Sequence, residues 1–247
     1  EHLHAVKNDE EIRAVYAVCI ADLTAYHTEN SQNEALYLAV KHIAESDAFE
    51  ALNPAQQKIL QDELRDFKLA GVHLKAKDKK RFARLQADYV QLTTQFENHV
   101  LDATHDFQCH ITDESRLKGL PQATLDQAKK TAESNDKPGW VFSLDFPVFH
   151  AIMQFADDAD LRQTFYEAYC TKASDQGPGK GQWDNSEVMT SILTIRQDLA
   201  RLVGFEHYAA YSLATKMADE PKTVLDFLTR LAHHAKPFAE KELASLQ

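Results

Sequence analysis

The stretch FARLQADYVQLTTQFENHV, residues 82–100, carries the clearest structural pattern in the sequence. Its large apolar residues step along the chain by three or four positions: Phe82, Leu85, Tyr89, Leu92, Phe96 and Val100. This spacing lays one apolar stripe along a helix, because an α-helix turns once every 3.6 residues. The stripe predicts a long helix that packs lengthwise against neighbouring helices. We therefore expect a mainly α-helical protein.

Helix boundary signals on the N-terminal side agree with this expectation. Asn53-Pro54 reads as an N-cap followed by proline at the first helical position. Gly71 ends that helix, because glycine tolerates the left-handed backbone of a C-terminal cap. Asn8 and Glu11 have the spacing of a capping box. The helix that they begin is expected to bury one face, made of Ile12, Tyr16, Cys19, Leu23 and Tyr26.

A last helical pattern begins at about Lys222 and is expected to face the interior. Pro237 lies inside it and is expected to kink or break the helix, since proline lacks the N–H donor. The predicted inward residues are Val224, Phe227, Leu228, Leu231 and Ala235.

Two short segments between the helical regions have the period of a β-strand. Phe107, Cys109 and Ile111 alternate with polar residues, and residues 140–144 form a second short run, WVFSL. A helical pattern from about 121 to 134 separates them. The expected fold is therefore a multi-helix lobe with a small inserted two-stranded β element. We divide it into an N-terminal helical layer (1–104), a small α/β insertion (105–146) and a further helical segment (147–247).

Composition narrows the classes of partner. Lys and Arg number 27 and Asp and Glu number 38, so the net charge is −11, and an acidic surface repels nucleic acids and anionic membranes. No apolar run approaches the roughly 20 residues of a membrane span. Three scattered cysteines do not form a disulfide framework and fit a reducing cytoplasm. The sequence starts at Glu1 without a visible signal peptide, which we interpret as a segment of something longer.

The sequence holds no complete catalytic motif. No two of its twelve histidines are four residues apart, so the H-E-x-x-H pattern of zinc peptidases is absent. His233 and His234 are adjacent and point about 100° apart on a helix. Cys170 follows several aromatic residues on a predicted helix, and we interpret it as a buried, unreactive thiol. We expect neither a catalytic nor a metal-binding residue in this chain.

A polar stretch at residues 174–183, SDQGPGKGQW, holds three of the seven glycines and is predicted to be a loop. It lacks the G-x-x-x-x-G-K-[ST] pattern of a phosphate-binding loop. We expect a mobile surface or lid loop between two helices, with little protection from hydrogen exchange. Its candidate site residues, as a substrate-channel or lid loop, are Asp175, Gln176, Gly177, Gly179, Gly181 and Trp183.

Several short pieces of the sequence resemble the oligopeptidase A/thimet oligopeptidase family of zinc metallopeptidases. The most specific are TKASDQGP (171–178), WDNS (183–186), GF (204–205) and SLATKMA (212–218), and upstream LRDF (64–67) and VLDAT (100–104) also match. The resemblance spans nearly the whole chain and is strongest in its second half. None of these pieces is a catalytic motif.

The resemblance implies a two-lobed, neurolysin-like helical fold around a channel that admits short peptides. In that family the zinc site, with its H-E-x-x-H helix, lies in the other lobe, so the resemblance implies that zinc is a cofactor of the complete parent enzyme and is not bound by this segment. The chain is expected to be a non-catalytic N-terminal segment that shapes the channel of a cytoplasmic metalloendopeptidase. Its expected partners are short peptides and the C-terminal catalytic lobe, and neither nucleic acid nor membrane. The alternative is a non-enzymatic helical scaffold that binds peptides or proteins.

Overall fold

The computed structural model describes residues 2–7 and 9–247. Asn8, the expected cap of the first long helix, lies outside the described residues. At the next position, the side chain of Asp9 accepts a hydrogen bond from the backbone N–H of Ile12 at 2.8 Å. An aspartate there satisfies one of the free amides of the first helical turn.

The regular structure of the described residues consists of eleven α-helices, two short 3₁₀ segments and one two-stranded sheet. The helices are α1 (His2–Val6), α2 (Glu10–Ser31), α3 (Glu34–Ala44), α4 (Pro54–Leu69), α5 (Ala76–Asp106), α6 (Gln122–Ser134), α7 (Phe146–Phe155), α8 (Ala159–Cys170), α9 (Ser186–Leu202), α10 (Tyr208–Leu213) and α11 (Pro221–Leu246). The strands are β1 (Gln108–Ile111) and β2 (Trp140–Ser143), and they pair antiparallel with Gln108 opposite Ser143. The expected mainly helical fold with a small inserted sheet is confirmed.

The chain forms two compact units, and each of them is discontinuous in sequence. Unit 1 comprises Glu1–Ala17 and Val90–Ile192, and unit 2 comprises Val18–Tyr89 and Leu193–Gln247. The division into segments at residues 104 and 146 stays a prediction.

The core of unit 1 surrounds the small sheet. Helix α8 buries Leu161, Phe165 and Ala168, which follow the helical period. The Phe165 ring meets the Phe107 ring edge to face, with 5.3 Å between centroids. Asp158 begins α8, because its side chain accepts from two backbone amides of the first turn.

Ion pairs hold the edges of this unit. Arg116 Nε donates to Asp158 at 2.7 Å, and this hydrogen bond lowers the pKa of the Asp158 carboxyl. Arg13 pairs with both carboxylate oxygens of Asp102. A planar guanidinium suits a carboxylate in this two-point arrangement, which fixes the N-terminal residues of α2 against α5.

Unit 2 confirms the local signals around α4. Asn53 and Gln56 form a reciprocal capping box, and Pro54 occupies the first turn. Gly71 has a φ of +78°, as a left-handed cap requires. Phe67 is buried and meets the Tyr37 ring edge to face.

The structure corrects the expected face of α2. None of its residues is buried, and Leu23 and Tyr26 are 51% and 63% exposed. Cys19 is exposed as well, whereas Ile12 and Tyr16 are half-buried. After Tyr16 the half-buried residues of α2 continue in steps of four along the chain. The periodicity therefore identified the helix but only part of the face that is covered.

The prediction that one face of α11 is buried in the interior is also wrong. Phe227, Leu228 and Leu231 are 50–53% exposed, and no residue of this helix is buried. The helix continues through Pro237, so the expected break does not occur. On an exposed helix, water can satisfy the carbonyl that a proline leaves without a donor.

We predict that Phe165→Ala lowers the free energy of unfolding by about 3–5 kcal/mol, because it leaves a cavity in the core of unit 1. Tyr166→Ala is the matched control, because the Tyr166 side chain, next to Phe165 in α8, is 56% exposed. That control should change stability by less than about 0.5 kcal/mol. Urea unfolding followed by circular dichroism would measure both variants, and equal losses would contradict this description of the core.

Candidate functional site

The glycine-rich loop predicted from the sequence connects α8 to α9 in unit 1. The backbone N–H of Asn185 donates to the carbonyl oxygen of Ala173 at 3.0 Å, which brings the two ends of the loop together. Few hydrogen bonds lie inside it: Gln176 N–H donates to Ser174 Oγ at 3.1 Å, Lys180 N–H to the carbonyl oxygen of Gly177 at 3.3 Å, and Gln182 N–H to that of Gly179 at 3.2 Å. The loop is therefore fastened at its ends and sparsely bonded along its outer arc.

Asn185 is the fastening residue and is only 1% exposed. Its Nδ2 donates to the carbonyl oxygen of Phe96 at 3.1 Å, so its Oδ1 must be the atom that meets His99 Nδ1 at 2.9 Å. Because an amide oxygen only accepts, His99 Nδ1 carries the hydrogen in this contact. Both polar ends of the buried carboxamide are thereby satisfied.

Local backbone geometry shapes the near end of the loop. Ala173 is buried and has a φ of +50°, which is uncommon for a residue with a side chain. Gly177 has a φ of +76°, and a Cβ placed there would overlap the Thr171 hydroxyl. A Cβ at Gly179 would meet no atom within 4 Å. Gly177 is therefore required by close packing, whereas Gly179 is not.

A cavity of about 230 Å³ lies beside this loop within unit 1. Its walls come from the end of α5, the strand β1, the end of α8 and the loop itself. The lining residues are Ala103, Asp106, Phe107, Gln108, Leu144, Ala168, Thr171, Ala173, Pro178, Gly179 and Trp183.

The structure brings only part of the expected site together. Gly179 and Trp183 line the cavity, whereas Asp175, Gln176, Gly177 and Gly181 do not. Asp175 and Gln176 are exposed on the outer arc.

The cavity also uses residues that sequence reasoning missed. Asp106 and Thr171 contribute a carboxylate and a hydroxyl to the lining. Gln108 also lines the cavity, whereas the alternating pattern of the sequence placed it only in a strand. No local signal marks these residues, because they reach the loop through tertiary folding.

The Trp183 side chain lines the cavity, but its Nε1–H is closed off from it. Its Nε1 atom is buried, and no protein atom among the described residues accepts from it. The neighbouring His99 ring lies 6.2 Å away between centroids, with its Nδ1 already engaged by Asn185. Beside it, Ser186 donates hydrogen bonds that lower the pKa of Asp184.

The cavity lining combines apolar side chains with one carboxylate, that of Asp106, and one hydroxyl, that of Thr171. In the described part of the chain its lining contains no histidine, cysteine, lysine or serine that could act as nucleophile or base. Cys170 lies nearby but is exposed, so the expectation of a buried thiol is wrong. It ends α8 on the solvent side, whereas Cys109 is the partly buried cysteine, and burial raises the pKa of its thiol.

Across residues 2–7 and 9–247, no three His, Cys, Asp or Glu side chains are grouped closely enough to hold a metal ion. His4 is buried, and its ring stacks on that of Tyr16. The donor set that zinc prefers is therefore not assembled by these residues. That this segment binds no zinc stays a prediction. No helix in the same residues has the length and apolar character needed to cross a membrane.

Unit 2 has two wider clefts of about 530 and 720 Å³ that are more open to solvent. Arg65, in the lining of the larger cleft, pairs with Asp62 and Asp66. Neither cleft was indicated by the sequence.

Comparison with known proteins places this fold in a family. The model for the neurolysin/thimet oligopeptidase N-terminal domain matches residues 1–80, and the model for peptidase family M3 matches residues 152–247.

Curated relatives match over the whole length of the chain. Oligopeptidase A of Salmonella typhimurium is 45% identical over 246 residues, which is 100% of this chain and 36% of that protein. Oligopeptidase A of Escherichia coli is 44% identical over the same share of each chain. A probable cytosolic oligopeptidase A of Arabidopsis thaliana is 32% identical over 229 residues, 90% of this chain and 32% of that protein.

The chain thus spans about a third of the length of the curated relatives that it matches. Its first 80 residues match an N-terminal domain model, and its whole length matches the oligopeptidase A relatives. The chain corresponds to an N-terminal part of oligopeptidase A, and its residues 152–247 match peptidase family M3.

Proposed function

We propose that this chain is the non-catalytic part of a zinc metalloendopeptidase that hydrolyses short peptides. The observation that carries the proposal is the 45% identity to an oligopeptidase A along 246 residues. The composition of the cavity supports it, because its apolar and polar lining offers contacts for a ligand. The segment contributes to the walls that receive the peptide.

Zinc in this proposal is a cofactor of the complete protein. A zinc ion in a hydrolase polarises the peptide carbonyl and activates a water molecule. The described residues do not bring three suitable ligands together, so the zinc ligands belong to the remaining part of the parent polypeptide. The parent is proposed to act in the cytoplasm, in line with the printed name of the Arabidopsis relative.

The same remaining polypeptide, the catalytic lobe, is the proposed partner of helix α11. Val224, Phe227, Leu228, Leu231 and Phe238 lie on one side of this helix, which gives it an apolar stripe. Four of these side chains are at least half exposed. An apolar stripe of this length on a soluble protein normally packs against another surface. About two thirds of each oligopeptidase A relative lies outside the matched region, which is ample chain to cover it.

The loop at 174–183 is proposed as a lid beside the cavity. Its ends are fixed by Asn185, and its outer arc has few hydrogen bonds, which is the pattern of a segment that opens without unfolding its neighbours.

A peptidase assay tests the main proposal. We expect the gene product that includes the catalytic lobe to cleave a quenched fluorogenic peptide, and to lose that activity on treatment with a chelator that zinc then reverses. Residues 1–247 alone should show no turnover. Zinc-dependent cleavage by residues 1–247 would contradict the proposal, and an inactive, peptide-binding parent would favour the scaffold alternative.

For α11 we predict that Leu231→Asp destabilises the complete parent protein by about 2–4 kcal/mol, because it buries a charge in the proposed contact. Thr229→Asp is the control, since Thr229 lies on the opposite side of the same exposed helix. In residues 1–247 alone both variants should leave stability nearly unchanged. Thermal unfolding of the four proteins measures these stabilities. If Leu231→Asp leaves the stability of the parent protein unchanged, α11 is not part of the proposed interface.

The lid proposal predicts fast hydrogen exchange at residues 175–182 and slow exchange at Asn185. Gly177→Ala should reduce stability by about 1–3 kcal/mol, because alanine disfavours a left-handed backbone and would overlap Thr171. Gly179→Ala should be close to neutral. Exchange mass spectrometry and unfolding curves give both readouts. Protection of the loop equal to that of α8 and α9 would show that it is not a lid.

A further inference from the structure

Helix α4 lies between the two clefts of unit 2 and has a different chemistry on each side. To the cleft of about 530 Å³ it contributes Glu63, Asp66, Phe67 and Ala70. To the larger cleft, of about 720 Å³, it contributes Gln61, Leu64, Arg65 and Lys68. Steps of three and four residues keep each set on one side of a helix, and the two sets point about 180° apart. The lining carboxylates of α4 therefore belong to the smaller cleft.

The larger cleft has a positive balance of charge. Its lining includes the cations Arg65 and Lys68 and, among the described residues, no carboxylate. Arg65 is neutralised, because it pairs with Asp62 and Asp66, and Asp62 also binds Lys58. These four groups carry two charges of each sign. Lys68 is exposed and has no carboxylate partner in the part of the chain that the structure describes, so its positive charge remains.

The surrounding chain does not reverse this balance. Apart from the groups on α4, the other Lys, Arg, Asp and Glu residues within three positions of the lining are Lys75, Arg201, Lys216, Glu34 and Glu206, and all are exposed. Cations are again in the majority, although the whole chain has a net charge of −11. Charge complementarity therefore favours an anionic ligand in this cleft.

The walls of the larger cleft are mostly apolar. Five half-buried apolar residues line it: Leu64, Leu69, Val203, Phe205 and Ala214. A ligand with an apolar side chain removes their remaining exposed area from water. The volume of about 720 Å³ lies within the range of about 300–1,000 Å³ that is usual for sites holding a whole small ligand.

Two neutral polar side chains, those of Gln61 and Tyr37, complete the lining that the argument uses. Neither side chain has a hydrogen-bond partner among residues 2–7 and 9–247. A carboxamide both donates and accepts, as a peptide group does, and a phenol can do either. A peptide engages both groups, whereas a plain hydrocarbon acid leaves them to water.

We propose that the larger cleft along α4 binds the C-terminal residue of a short peptide, with Lys68 Nζ donating to the terminal carboxylate and the apolar walls receiving a large apolar side chain. Only at a C-terminus does an apolar residue itself carry a carboxylate. The inference rests on the proposed peptide-processing function and names the class of peptide that this chain favours. The cleft belongs to unit 2, whereas the cavity beside the glycine-rich loop belongs to unit 1.

Methyl NMR spectroscopy of the 247-residue chain tests this site directly. The probe is acetyl-Ala-Leu-Phe with a free carboxylate, and its C-terminal amide is the matched ligand. We expect the free acid to shift the methyl signals of Leu64 and Val203, with a dissociation constant in the millimolar range. The Leu161 methyls, buried in the core of unit 1, should not move. The amide should bind about two- to fivefold more weakly, because it lacks the charge that meets Lys68.

Two lysine variants separate a local contact from overall charge. Lys68→Gln should lower the affinity for the free acid to that for the amide. Lys129→Gln, at an exposed lysine on α6 in unit 1, removes the same charge elsewhere and should preserve the difference between the two ligands. Because both lysines are exposed, neither change should disturb folding, and unfolding curves check this.

A third ligand separates a peptide from a plain amphiphilic acid. Nonanoate has a carboxylate and an apolar chain but no peptide groups. It should bind at least about threefold more weakly than the free-acid peptide, because it makes no hydrogen bond with Gln61 or Tyr37.

The possible outcomes distinguish this inference from the proposed function. If the parent shows zinc-dependent cleavage while the Leu64 and Val203 signals do not respond to the free acid, the cleft assignment is wrong and the function stands. If these signals respond but the parent cleaves nothing, the cleft stands as a peptide-binding site and the peptidase proposal fails. Equal affinity for acid and amide, an unaltered difference in Lys68→Gln, or equal binding of nonanoate would overturn the proposed ligand.

Discussion

The buried carboxamide of Asn185 holds three separate parts of unit 1 in register. Its side chain binds the backbone of Phe96 and the ring of His99 on α5, and its own N–H binds the end of the α8 region at Ala173. A buried amide that satisfied only one of these partners would be costly, since each polar atom has left water. The closure of the loop and the attachment of its far end to α5 thus both depend on this one residue. The cavity exists because these parts are held in place around it.

Much of the fold follows from signals that are local in sequence. The capping box at Asn53 and the stop at Gly71 depend on neighbours only a few residues away, and the structure has both. The two strands and the helix between them likewise follow from their periods and their turn residues. The glycine-rich segment was identified as a loop for the same reason.

Other features depend on contacts that a sequence pattern does not specify. Periodicity predicts helices at α2 and α11, but which side of each helix is covered depends on the neighbour that is present to cover it. Leu23 and Leu231 are therefore exposed although their spacing predicts burial. The contact of Asn185 with Phe96 joins residues 89 positions apart, so neither it nor the cavity could be read from local pattern. Gly179 and Trp183 were identified through the loop, whereas Asp106 and Thr171 became visible only in three dimensions.

The two classes of surface in this chain have different explanations. The apolar stripe of α11 is broad and exposed, which fits a contact with a large folded surface. The cavity of unit 1 is small and mixed in chemistry, with one carboxylate among mostly apolar walls.

The outer arc of the glycine-rich loop carries none of the contacts that hold its ends. Lys180 is exposed, and a side chain added at Gly179 would meet no atom within 4 Å, whereas the φ of +81° at Gly181 disfavours a side chain there. Because lengthening a loop costs little once its ends are fixed, this arc can accept altered composition or a few inserted residues without moving Trp183. A spectroscopic label attached at position 180 would thus report the motion of the loop while leaving the architecture beneath it intact.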